Sequence, residues 1–139
     1  MKVLVDTSVW SLALRRKRAV LAPFELRVTQ LLDRIIDEGR IQLLGPVRQE
    51  LLSGLREEAQ FLRLREYLRD FPDCALTVAD HEQAAQASNR CRKAGIASTS
   101  VDMLVCAVAL HRGWEIFSTD QDFIQYSRIL PLQMFQGTI

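Results

Sequence analysis

Four carboxylates stand where short apolar runs stop or start. Asp6 closes Val3-Leu4-Val5, and Asp120 follows Ile116-Phe117-Ser118-Thr119. Asp102 opens the apolar stretch Met103 to Leu110, and Glu50 lies one turn beyond Gly45-Pro46. Gathered in one place, they would form an all-oxygen donor set suited to Mg²⁺ or Mn²⁺. Close like charges raise one another's pKa values, so such a cluster is stable mainly when cations neutralise it. A divalent ion held this way, with open positions for water and substrate, is equipment for phosphodiester hydrolysis. Other chemistries are poorly supplied. Only two histidines are present, His81 and His111, and no Gly-rich phosphate loop appears. Cys74, Cys91 and Cys106 are odd in number, lack metal-type spacing and read as reduced thiols.

Each acid also has a structural use. Asp6, with Thr7 and Ser8 behind it, can cap a helix, and the residues alone weigh capping and metal ligation equally. Asp102 can complement a helix dipole, but a carboxylate in so apolar a helix needs a partner, either a metal ion or a lysine or arginine. Glu50 reads, taken singly, as a rim residue.

The elements that must position these acids follow from periodicity. Val3-Leu4-Val5 is a strand buried on both faces, as in a parallel sheet. Pro23 starts a helix whose apolar face runs to Ile36, with Gly39 after its end. Ile41 to Leu44 form a brief strand, and Pro46 begins a helix bearing Glu50. Helical spacing continues over 57–71, and a small-residue helix runs from Thr77 or Asp80 to about Lys93. The Asp102 helix ends at Gly113, and Glu115 to Ser118 give a strand. A short helix then reaches about Ser127, and Ile129 to Phe135 read as a last strand edged by Pro131. The expected order is β–α–α–β–α–α–α–α–β–α–β, an alternation that argues for a parallel sheet covered on both faces. In such a fold strand C-termini and helix N-termini share one edge, which can gather all four acids.

The chain of 139 residues fits one domain, 1–139, with no repeats or linkers. At 48% apolar and 25% charged it has the composition of a soluble protein. No signal peptide or bilayer-spanning segment is evident, so a cytoplasmic location is expected. The net charge of +1 announces no global nucleic-acid field. A local patch could still serve: Arg15-Arg16-Lys17-Arg18 is the densest basic run, either a phosphate clamp or a solvated helix end. Arg90, Arg92 and Lys93 are a weaker second set.

Met1-Lys2-Val3-Leu4-Val5-Asp6-Thr7-Ser8-Val9-Trp10 resembles the opening of PIN-domain proteins, above all the VapC-type toxin ribonucleases. Three later stretches resemble that family in the right order: 46–54 around Glu50, 101–109 around Asp102, and Ser118-Thr119-Asp120-Gln121-Asp122-Phe123. Ser118 stands at a usual threonine, and Cys106 at a common alanine. The resemblance implies a three-layer α/β/α fold with a short central parallel sheet. It implies a Mg²⁺- or Mn²⁺-dependent endoribonuclease acting on RNA, a cognate VapB-type antitoxin and a homodimer. On this resemblance Asp6 and Asp102 are the main metal ligands, directly or through water, Glu50 positions or deprotonates the attacking water, and Asp120 completes the site or holds a second ion. Thr7 and Ser8 would orient Asp6, while Asp122 either assists Asp120 or serves its helix start. Arg15, Arg16, Lys17 and Arg18 would hold RNA phosphates. Leu55, Phe61 and Leu64 read first as core and second as a groove for an antitoxin helix. The rivals are a PIN nuclease of RNA processing and a non-catalytic receiver-like module. The second is disfavoured because no lysine follows the late strand.

Overall fold

The computed structural model describes residues 1–15 and 17–137, without the side chain of Arg18. Arg16 therefore lies outside the described residues. Strand β1 (Val3–Val5) leads directly into helix α1 (Thr7–Leu14). A 3₁₀ turn at Arg18–Val20 precedes α2 (Pro23–Asp37), and β2 (Ile41–Gln42) precedes α3 (Gly45–Leu52) and α4 (Glu58–Leu68). Helices α5 (Val78–Lys93) and α6 (Ser100–Arg112), strand β3 (Glu115–Phe117) and α7 (Asp122–Ser127) complete the order.

The strands form a parallel sheet in the order β2-β1-β3. β1 is central, and Val3, Leu4 and Val5 have no exposed surface, as the unbroken apolar run required. Helix α1 packs on α2 and α3, with α4 against α3; α5 packs along α6, and α6 against β3. The result is the expected α/β/α arrangement. Among the described residues no helix is long and apolar enough to cross a membrane.

The predicted last strand does not form. The chain meets β3 at a single parallel bridge, Met134 with Ile116. Ile129 and Leu130 instead donate their N–H groups back to the Tyr126 carbonyl, prolonging the turn out of α7. Pro131 then has no N–H to give to a ladder.

Two polar fastenings matter for the site. Arg48 on α3 donates to Asp73 at 2.9 Å, to the Leu68 carbonyl at 2.9 Å and to the Phe71 carbonyl. This clamps the helix that carries Glu50 onto the end of α4. At the far end of α6, Arg112 donates two bonds, at 3.2 and 3.0 Å, to Asp80 on α5. Asp80 is 1% exposed. Burial works against its ionisation, but the bonds from Arg112 and Thr77 outweigh it and hold the carboxyl below its ordinary range.

Candidate metal centre

Parallel strands end on one edge of the sheet, and the predicted acids lie there. Asp6 follows β1 directly, and its N–H donates to the Phe117 carbonyl, so the ends of β1 and β3 are fastened side by side. Asp6 is 4% exposed. Its Oδ2 accepts from the Ser8 hydroxyl at 2.8 Å, the Ser118 hydroxyl at 2.9 Å and the Ser8 N–H at 3.3 Å. Asp6 therefore does cap α1, and it does so with one oxygen. Oδ1 accepts no hydrogen bond among the described residues. Capping and ligation, equally weighted from sequence, are compatible in one side chain.

The serines tie Asp6 to Asp120. Ser118 Oγ accepts from the Asp120 N–H at 3.0 Å while donating to Asp6, and Ser8 Oγ accepts from the Thr119 N–H at 3.0 Å. Asp120 in turn accepts from the Asp122 N–H at 2.9 Å through Oδ1, so the helix start is served by Asp120, leaving the Asp122 carboxylate uncommitted.

Asp102 lies in the first turn of α6, where the Thr99 hydroxyl caps its N–H at 3.1 Å. Its Oδ2 accepts a 2.7 Å bond from the Tyr126 hydroxyl. Burial pushes the Asp102 carboxyl above its ordinary range; the Tyr126 bond opposes this, and the charges of Asp6 and Asp120 reinforce it.

Asp102, Asp120 and Asp122 each offer a carboxylate oxygen, all within 4.8 Å of one another. Asp6 stands outside this trio but close enough for its charge to act on Asp102. Glu50 is exposed, accepts a 2.8 Å bond from the Thr7 hydroxyl, and faces a groove it lines with Thr7, Gln49 and Val101. Thr7 thus holds Glu50 rather than orienting Asp6; Ser8 does the latter. None of the five acids makes an ion pair among the described residues. Converging hard oxygens with no cation among them fit Mg²⁺ or Mn²⁺ by donor chemistry.

The basic run is placed differently. Arg15 lines a groove of about 600 Å³ between the end of α1 and α4, with Leu14, Leu55, Arg63, Leu64 and Tyr67. Lys17 is exposed. Of the three apolar residues of doubtful role, Leu64 joins the core, Leu55 is half-buried and lines this groove, and Phe61 lines a separate one beside Leu52.

Tyr126 is the functional candidate that sequence reading passes over. Its signal is faint: a tyrosine one turn after Asp122, at the apolar position of a short helix, whose buried hydroxyl must find a partner. Ser118 was visible only as the stand-in for a family threonine.

The family model described as "PIN domain" matches residues 3–129. The VapC ribonuclease Mb1587 of Mycobacterium bovis is 30% identical over 133 residues, covering 94% of this chain and 96% of that protein. Ribonuclease VapC11 of Mycobacterium tuberculosis matches to the same extent. Among solved structures, FitAcB from Neisseria gonorrhoeae superposes with a TM-score of 0.74 at 21% identity, over 96% of each chain. VapBC2 from Rickettsia felis, bound to a DNA fragment from its promoter, also gives 0.74, at 12% identity over 99% of this chain and 100% of that one. These structural likenesses establish the fold.

Proposed function

The chain belongs to the PIN-domain family, and from that premise we propose that it is a metal-dependent endoribonuclease, the toxin of a VapBC-type toxin–antitoxin pair. The observation that carries the chemistry is the convergence of Asp102, Asp120 and Asp122 without a protein cation among the described residues, beside the strand-end Asp6. The names of the relatives at 30% identity support RNA as the substrate.

Asp6, Asp102 and Asp120 would hold Mg²⁺ or Mn²⁺, with Asp122 as a further donor and Glu50 at the margin. When bound, such an ion polarises a phosphate oxygen and makes a coordinated water acidic. The protein's own part is positional. Ser8 and Ser118 take one oxygen of Asp6 and leave the other. Glu50, braced by Thr7 and open to solvent, accepts the proton of the attacking water. Arg15 and Lys17, with Arg16 and Arg18 beside them in sequence, hold the RNA backbone as it approaches the acidic edge.

The antitoxin would be of VapB type, because solved VapBC assemblies share this fold over nearly the whole chain. The groove lined by Leu55, Leu64, Tyr67 and Arg63 offers it an apolar floor with cationic walls. The toxin would work in the cytoplasm, as a homodimer.

The test is incubation of the purified chain with total RNA and Mg²⁺ or Mn²⁺, followed by mapping of the cut ends. Discrete internal cleavage, abolished by EDTA, is expected. Undiminished cleavage in excess EDTA would overturn the metal chemistry, and induced expression that leaves growth untouched would overturn the toxin role.

A further inference from the structure

Tyr126 has no exposed surface, and its ring packs edge-on against Phe123 at 5.2 Å. A phenylalanine would fill that space without needing a polar partner. A buried hydroxyl is costly unless it is bonded, and this one is bonded to Asp102 at 2.7 Å. The helix that carries Tyr126 also carries Asp122, and Asp120 serves that helix's first turn. One six-residue helix therefore carries both Asp122 and Tyr126 and begins beside Asp120.

The character of the donor matters as much as its position. At the other end of α6, Arg112 holds the buried Asp80 of α5. At Asp102 the donor is neutral, so it fixes the carboxylate without supplying a charge that would compete with a cation. Its bond goes to Oδ2 alone, and the other hydroxyl that favours the charged carboxylate, that of Thr99, is neutral too.

We infer that Tyr126 is a positioning residue of the metal site: its hydroxyl holds one oxygen of Asp102 and leaves the other to a divalent cation shared with Asp120 and Asp122. The inference rests on the metal reading above. Groups that orient metal ligands typically contribute about 10–100-fold in metal affinity.

The experiment is a Mn²⁺ titration of the RNA-free protein, followed by electron paramagnetic resonance of the unbound ion, for wild type, Tyr126→Phe and Tyr126→Met. Both variants should bind Mn²⁺ about 10–100-fold more weakly. Tyr126→Phe should keep the wild-type melting temperature within a few degrees, because the ring still fills its site. In cleavage assays it should need more metal for half-maximal rate and approach the wild-type kcat at saturation. Wild-type Mn²⁺ affinity in a folded Tyr126→Phe or Tyr126→Met protein would overturn the assignment of Tyr126 alone. A wild type that binds no Mn²⁺ would overturn it together with the metal reading.

Discussion

Helix α6 meets a buried or half-buried carboxylate at each end, and the two are treated in opposite ways. At its C-terminal end Asp80 is closed in by Arg112 and by the Thr77 N–H at 2.9 Å. The same guanidinium also bonds the Ala75 carbonyl at 3.0 Å and lies over the Trp114 ring at 5.5 Å. Every need of that acid is met within the chain. At the N-terminal end Asp102 is met only by the neutral hydroxyls of Tyr126 and Thr99 among the described residues, and its charged neighbours are more acids. An acid used for folding brings its own cation, because an unpaired buried charge is expensive. A group of acids left without one keeps that expense in the folded state, and a cation from solution can relieve it. The contrast separates carboxylates that hold the fold from those proposed to do chemistry, at the two ends of a single helix.

The largest effect expected from breaking this contrast is on activity. Asp102→Asn should lower RNA cleavage by about 10³-fold, since losing a metal ligand removes several kcal/mol of transition-state stabilisation at about 1.4 kcal/mol per decade. Stability should move the other way. The folded-state pKa of Asp102 lies above its value of 3.8 in the unfolded chain, so at neutral pH folding works against its ionised form. A neutral side chain of the same shape removes that penalty and keeps an acceptor for Tyr126. Calorimetry in the presence of chelator should find a higher melting temperature than for wild type. A marked fall instead would make Asp102 a structural acid like Asp80.

Arg112→Met is the complementary break. It leaves Asp80 buried without its cation and should cost about 3 kcal/mol in urea unfolding at neutral pH. Mn²⁺ affinity at a temperature where the variant is folded should not change. The acid response gives the sign. Asp80 is held below 3.8, so its contribution is complete above that pH and is lost as pH falls through the folded-state value. In Arg112→Met this loss should vanish, and the two stability curves should approach each other on acidification below 3.8. Parallel curves would assign the stability of this corner to packing of Arg112 on Trp114 rather than to charge.

How much of this was legible in the sequence depends on whether a residue's role is local. Val3-Leu4-Val5 announced a strand buried on both faces because an unbroken apolar run with two β-branched residues has few other uses. The four stations of Asp6, Glu50, Asp102 and Asp120 were readable because strand ends and helix starts leave local marks, and a parallel sheet forces them to one edge. The partners of those acids were not readable. Ser118 is 112 positions from Asp6, Thr7 is 43 from Glu50, and Tyr126 is 24 from Asp102. Such bonds exist only once the sheet order is fixed. The Ile129–Phe135 segment misled for a related reason: its apolar pattern is that of a strand, but the carbonyl of Tyr126 and the missing N–H of Pro131 decide its hydrogen bonding.

The smallest expected effect sharpens the acidic end most finely. Ser118 Oγ donates to Asp6 and accepts from the Asp120 N–H, so it links two proposed ligands without being one. Ser118→Ala removes both bonds, while Ser8 continues to hold Asp6 Oδ2 at 2.8 Å. The loss should be partial: about tenfold in cleavage rate at limiting metal, in the lower range for groups that orient ligands, and about 1 kcal/mol in stability for the lost bonds. Ser118→Thr keeps the hydroxyl and should restore both quantities, whereas Ser118→Cys, with a weak donor, should not. Single-turnover cleavage across a metal titration distinguishes the outcomes. If Ser118→Ala loses as much as Asp102→Asn, the hydroxyl touches substrate or ion directly. If it loses nothing, Ser8 alone suffices to orient Asp6, and the link between the ends of β1 and β3 is a matter of folding, like the Asp80 and Arg112 pair at the other end of α6.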